Sequence, residues 1–233
     1  MGEVKTLFEF TIGGLKFGIT YSVVAQWIVM IFIMLMVLLI RGRMNDVPRG
    51  IQVWVETLVE TINSLVRSNM GEKYEKFTPF VGTLMIYLLL LNLFGLTGFR
   101  PPTADYSVAL GLAIISFVLI HATAIRNNGI KHYLKGYTHP YTAMLPLNIV
   151  ERLVVPVSLS LRLFGNITAA VILVELIYDG LAYLSGVLHL GIPLLQAVIP
   201  IPFHVYFDLF DGAIQMFIFV MLTMIFIKTT SDH

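Results

Sequence analysis

Residues 147–185 read LNIVERLVVPVSLSLRLFGNITAAVILVELIYDGLAYLS, an apolar stretch with few charges. As one helix it is on the order of 60 Å long at about 1.5 Å per residue, roughly twice the hydrocarbon thickness of a bilayer. Such a helix cannot stand upright. It tilts steeply or lies within the membrane, with Pro156 the natural position for a kink. Gly186, Gly191 and Pro193 mark a reversal, and a second long apolar stretch follows to Lys228, interrupted early by Pro200 and Pro202. Residues 147–228 therefore predict a helical hairpin strongly inclined to the membrane normal.

Working outward, Ser22 to Ile40 is apolar except for Gln26, long enough to span a bilayer once. Residues 78–96 and 106–125 predict two further spans, joined by a short linker rich in Pro and Gly. Residues 47–67 differ. Ile51, Trp54, Val55, Leu58, Val59, Ile62, Leu65 and Val66 recur at steps of three and four, while Gln52, Glu56, Glu60, Asn63 and Arg67 take the other faces. That pattern predicts an amphipathic helix on the membrane surface. The fold class expected is an all-α polytopic membrane protein of about five membrane segments, one membrane domain over residues 1–233.

Composition agrees with this reading. The 233 residues are 57% hydrophobic and 12% charged, against roughly 45–50% and about 25% in ordinary soluble domains. A mean hydropathy of +0.84 leaves too few polar side chains to cover a water-facing surface, so the lipid bilayer is the expected solvent. The net charge of +1 lacks the basic excess that a nucleic-acid partner requires. With no cysteine, thiol catalysis, thiolate metal sites and disulfides fall away. Glu3, Lys5, Glu9 and Lys16 give the N-terminus none of the order of a cleavable leader. No phosphate-cradling loop or hydrolase signature is present, and the six histidines lack metal-ligand spacing, so neither a catalytic site, a metal nor a cofactor is expected.

Basic residues set the orientation. Arg41, Arg43, Arg49, Arg67, Lys73 and Lys76 lie in one polar connection, and Arg126, Lys131 and Lys135 in another. Both should be cytoplasmic, with the N-terminus outside and the C-terminus inside.

Charge is most telling where it is scarcest. Arg162 stands in the middle of an apolar segment, at a cost of about 2.5 to over 10 kcal/mol, so it marks an ion path or a pair. Ser158 and Asn166 share its helix face, and Ala169 follows. An internal ion pair with Glu175 or an acid of the second arm is the competing explanation. Glu175 and Asp179 lie one turn apart, and His204, Asp208, Asp211 and Gln215 draw a polar stripe at steps of four, three and four. A hydrated half-channel explains the stripe, although Asp179 and His189, near the reversal, fit an ordinary solvated interface equally well. Glu175 lies about 140° around its helix from Arg162, so the two face different neighbours.

Ser160-Leu161-Arg162-Leu163-Phe164-Gly165-Asn166-Ile167 resembles the essential-arginine motif of subunit a of F-type ATP synthases. Pro102-Thr103-Ala104-Asp105 resembles that family's P-[ST]-A-D segment, and residues 214–223 its C-terminal helix motif. The resemblance spans nearly the whole chain in order. It implies a stator subunit without a catalytic site of its own, with two offset half-channels against a ring of c subunits. Arg162 would sit between the half-channels, with Asn166 and Gln215 as polar neighbours. The implied partners are the c-ring, the b-subunit peripheral stalk and the remaining synthase subunits. The implied cargo is H⁺ with Na⁺ as the alternative, and the implied location is a bacterial plasma membrane. Two positions depart from the pattern: Val171 stands where many members carry Glu, leaving Glu175 as the candidate for its place, and Asp208 stands where His is common. A secondary cation transporter is the rival reading, but it would usually carry internal repeats, and none is evident.

Overall fold

The computed structural model describes residues 6–12, 15–42, 44, 47–137, 141–188 and 194–232. The expected reversal at Gly191 and Pro193, together with Arg43 and His189, lies outside them. The chain is built from helices α1 (Tyr21–Arg41), α2 (Ile51–Met70), α3 (Thr78–Leu93), α4 (Tyr106–Asn128), α5 (Ile130–Gly136), α6 (Leu145–Val187), α7 (Leu194–Val198), α8 (Pro200–His204) and α9 (Gly212–Asp232). Among the described residues, five helical stretches are long and apolar enough to cross a membrane. The fold is all-α, with one addition at its N-terminus. Strands β1 (Thr6–Ile12) and β2 (Leu15–Thr20) pair antiparallel, with Phe10 opposite Phe17 and Thr11 opposite Lys16. The alternation of Phe8 and Phe10 with Glu9, followed by Gly13-Gly14, was the available signal for this hairpin.

Helix α2 begins at Ile51, after Pro48, with Gly50 at φ 59, and it ends at Gly71, with φ 97. These positive-φ positions, which glycine adopts without steric cost, set its limits later than hydrophobic spacing suggests. Its second half packs through Ile62, Val66 and Met70, while Ile51, Trp54 and Leu58 remain exposed.

Helix α4 is the centre of the bundle, packed against both α6 and α9. It buries Val108, Ala109, Leu112, Ala113, Ser116, Ile120, Thr123 and Ala124. The small members of this set let neighbouring helices approach closely, which drives association where lipid competes for apolar surface. Against it α6 buries Leu159, Ser160, Leu163, Ile167, Ala170 and Val174, and α9 buries Met216, Phe219, Val220, Thr223, Met224 and Ile227. Helix α6 runs unbroken through Pro156. The irregularity falls in the second arm instead, which passes from α8 through a π-helical segment, Val205–Asp211, into α9.

The Pro102-Thr103-Ala104-Asp105 segment explains itself in this frame. Pro102–Ala104 is a buried 3₁₀ turn, and the Asp105 carboxylate accepts a hydrogen bond from the Ser107 backbone N–H at 3.0 Å, capping α4. Asp105→Ala should therefore destabilise the chain by about 1 kcal/mol, and Asp105→Ser, whose hydroxyl can also cap, should recover most of that loss, as read from detergent-titration unfolding of the full chain.

Candidate functional site

Helix α6 presents adjoining faces to different surroundings. Leu159, Leu163, Ile167 and Ala170 turn into the bundle, and Arg162, Gly165, Asn166 and Ala169 are exposed. Among the described residues Arg162 has neither a hydrogen-bond acceptor nor an acid within ion-pair distance. The internal pair with Glu175 that sequence allowed is therefore not formed. Glu175 and Asp179 are likewise exposed and unpaired on the same helix. A Cβ added at Gly165 would meet nothing within 4 Å, so this glycine leaves open space on the arginine's face.

The stripe on the second arm is two linked pairs. His204 Nδ1 and Asp208 Oδ2 lie 2.6 Å apart, and Gln215 Nε2 donates to Asp211 Oδ1 at 3.4 Å. The π segment between them departs from the α-helical spacing that sequence assumed, because its hydrogen bonds reach one residue further back. Tyr178 of α6 extends the first pair, its hydroxyl 3.2 Å from His204 Nε2. A phenol, an imidazole and a carboxylate thus form one hydrogen-bonded chain between the two arms. The Asp208 side chain is only 12% exposed, whereas that of His204 is 31% exposed.

Asp208 fits against the opposite hairpin because residue 95 is glycine. A Cβ there would lie 2.9 Å from Asp208 Oδ1 and 3.2 Å from Pro101 Cγ. Next to it Asn92, 1% exposed, donates from Nδ2 to the Gly212 carbonyl at 2.8 Å. Sequence reasoning overlooked Tyr178, Gly95 and Asn92. Only Asn92, a buried amide in an apolar run, carried a usable signal.

The far end of the bundle holds a second polar feature, a cavity of about 830 Å³ whose walls include Asn128, Lys135, Asn148, Glu151, Arg152 and Thr229. The Arg152 guanidinium lies 4.9 Å from the centre of the Tyr133 ring and 4.0 Å from that of Tyr137, within the range of cation–π attraction. The Tyr133 hydroxyl is 2.7 Å from both Tyr137 Oη and His121 Nδ1. Burial, aided by Tyr137 and opposed by Arg152, pushes the Tyr133 phenol up to about 12, so it stays protonated at neutral pH.

Comparison with known proteins bears on the whole chain. Residues 23–228 match the family model described as ATP synthase A chain. The chain is 31% identical to "ATP synthase subunit a, sodium ion specific" of Propionigenium modestum, over 98% of this chain and 80% of that protein. It is 32% identical to ATP synthase subunit a of Moorella thermoacetica over 97% of each. With ATP synthase subunit a of Oceanobacillus iheyensis the identity is 38%, over 80% of both chains.

The space at Gly95 yields a direct test. Gly95→Ala should displace the Asp208 carboxylate and break its hydrogen bond to His204. Loss of the bonded imidazole signal in ¹⁵N solid-state NMR would report the break. Gly111→Ala, which faces open space, should leave that signal in place.

Proposed function

The chain belongs to the ATP synthase A chain family, subunit a of an F-type ATP synthase, and on that premise we propose that it is the ion-translocating stator of the complex, lying against a rotating ring of c subunits. The observation that carries this reading is Arg162, exposed and unpaired at mid-span on a face of small residues. Lipid cannot cover a guanidinium cheaply, since the cost runs from about 2.5 to over 10 kcal/mol. A protein surface bearing a carboxylate can. Gly165 and Ala169 allow that surface to come close, which suits a ring carboxylate that pairs with Arg162 only in passing.

Polar features at both ends of the bundle support two half-channels. Helix α9 runs from the Asp208 cluster at one end to the cavity bearing Arg152 at the other. Along α6, Arg162 stands about 15 Å from Arg152 and about 24 Å from Tyr178 at helical rise. Ions entering at either end would thus approach the arginine from opposite sides, and Arg162 would block a direct leak while releasing the ion from each arriving ring carboxylate. In this reading Glu175, His204, Asp208, Asp211 and Gln215 line the path beside Asn166. An elementary charge crossing 100 mV gains about 2.3 kcal/mol, so several ions are needed for each nucleotide bond formed elsewhere in a soluble head.

The ion in this proposal is H⁺. Its support is the Tyr178–His204–Asp208 chain, a phenol, an imidazole and a carboxylate in continuous hydrogen-bond contact, the kind of relay along which a proton can pass. The relative from Propionigenium modestum is named as sodium specific, so Na⁺ is the alternative to be tested. In this reading Arg126, Lys131, Lys135 and the C-terminus face the cytoplasm, supported by the basic residues of those connections, and the N-terminus lies outside a bacterial plasma membrane. The peripheral-stalk b subunit joins the same single membrane unit.

Arg162→Ala should abolish ATP-driven ion pumping by the assembled complex in vesicles, and undiminished pumping would overturn the role given to Arg162. Asp208→Asn with Asp211→Asn should slow pumping by about 10- to 100-fold, the scale for loss of a positioned group. ATP-driven acidification that persists without Na⁺ and collapses with a protonophore identifies H⁺; strict dependence on Na⁺ identifies the alternative.

A further inference from the structure

Four residues of the proposed path, His204, Asp208, Asp211 and Gln215, sit on the second arm, yet the best-buried polar contact to that arm comes from another helix. Asn92 of α3 is 1% exposed, and its Nδ2 donates at 2.8 Å to the carbonyl of Gly212. Gly212 is where the π segment closes, its own N–H bonding back to the carbonyls of Phe207 and Leu209. It is also where α9 begins. Asp211 precedes this junction directly, and Asp208 lies within the π segment it terminates.

Packing at the junction is tight. A Cβ on Gly212 would fall 3.2 Å from Asn92 Cβ, so glycine is what lets the backbone of the second arm reach the amide. Three residues along α3's continuation, Gly95 leaves the space that Asp208 occupies. One turn of helix therefore offers the second arm a hydrogen-bond donor at Gly212 and a recess for the Asp208 carboxylate. Asn92 Oδ1 finds no donor among the described residues, so the amide's single bond is the one to Gly212. A buried amide left half satisfied is costly, and its bond to the junction is correspondingly expensive to break.

We infer that Asn92 is a positioning residue for ion translocation: by holding the Gly212 carbonyl it fixes the rotation of the π segment, and so aims Asp208 at His204 and Asp211 at Gln215. This rests on the proposed role of those acids in transport. Its physical content is independent of that role, because the hydrogen bond between His204 and Asp208 is observable by itself. A widened helical turn is easily lost to the ordinary α-helical register, and a one-residue change of register would swing Asp208 away from the Gly95 recess. The Asn92 clamp opposes that change from outside the arm.

The test uses the complete complex, with ¹⁵N-labelled histidine in subunit a and His204→Asn to assign the His204 signal. Asn92→Leu removes the donor and keeps the volume. It should shift the His204 Nδ1 signal away from its hydrogen-bonded position and slow ATP-driven pumping by about 10- to 100-fold, the scale for ångström-level misplacement of an acting group. Asn92→Gln, which keeps the amide donor, should restore part of both. An unchanged His204 signal in Asn92→Leu overturns the inference, whatever happens to pumping. A shifted signal with wild-type pumping upholds the clamp and removes instead the transport role of the acids. If Asn92→Leu does not accumulate, Gly212→Ala carries the same test, because its Cβ pushes against Asn92 without altering any amide. A wild-type His204 signal in that variant also overturns the inference.

Discussion

The close packing of α6 on α4 is the contact on which the remaining arrangement depends. Ala109, Ala113, Ser116 and Ala124 give α4 a seam of small side chains, and α6 sets Leu159, Leu163, Ile167 and Ala170 into the bundle. Helical periodicity then leaves no freedom for Arg162. With positions 159, 163, 167 and 170 inward, position 162 falls roughly a quarter-turn to the side of the packed face, where it is exposed together with 165, 166 and 169. A larger residue in the seam would force the helices apart, and rotation of α6 would bring the guanidinium toward a core in which, among the described residues, no acid is buried. The exposed arginine is thus fixed by apolar packing on the adjoining face of its own helix.

Two opposing costs are balanced across this frame. A charge facing lipid is unfavourable by several kcal/mol, whereas a charge sealed inside against a fixed partner could not exchange that partner for another. Arg162 avoids the second by being exposed and the first only when another protein surface covers it. The acids show the complementary solution. Asp208 is largely buried but bonded to His204, and Asp211 is bonded to Gln215. Under the proposed function, the group that would meet a moving partner is left open, and Asp208 and Asp211, which stay within the chain, are paired.

The irregular parts of the second arm serve that pairing. Pro200 opens α8 after the turn at Ile199 that separates it from α7, and the π segment turns the acids relative to α9. Contact with α3 at Asn92 and Gly95 ties the irregular segment to a regular helix. The opposite end of the bundle is held by longer-range bonds, with Lys228 Nζ donating to the Asn69 carbonyl at 3.2 Å and Asn128 Nδ2 to that of Ser231 at 3.0 Å. Both termini of α9 are therefore anchored by polar groups, while its middle is held by Phe219, Val220 and Met224 in the apolar core.

Much of this was legible in the chain itself, because hydrophobic length and helical periodicity are local properties. Twenty apolar residues specify a span, a long apolar helix specifies tilt, and an arginine in such a helix announces function wherever it points. The N-terminal hairpin was legible too, through alternating Phe8 and Phe10 before Gly13-Gly14, but its short strands were overshadowed by the spans. What sequence left open was which groups meet. The expected stripe of His204, Asp208, Asp211 and Gln215 assumed a uniform helix, and the π segment divided it into two pairs. Tyr178 joined the stripe from 26 residues away in the chain, and Gly95 and Asn92 from across the bundle. Residue order alone determined a membrane-embedded chain with a charge it could not hide; only tertiary packing decided that this charge stays unpaired, because the face of α6 that carries it is chosen by the apolar face that α4 takes.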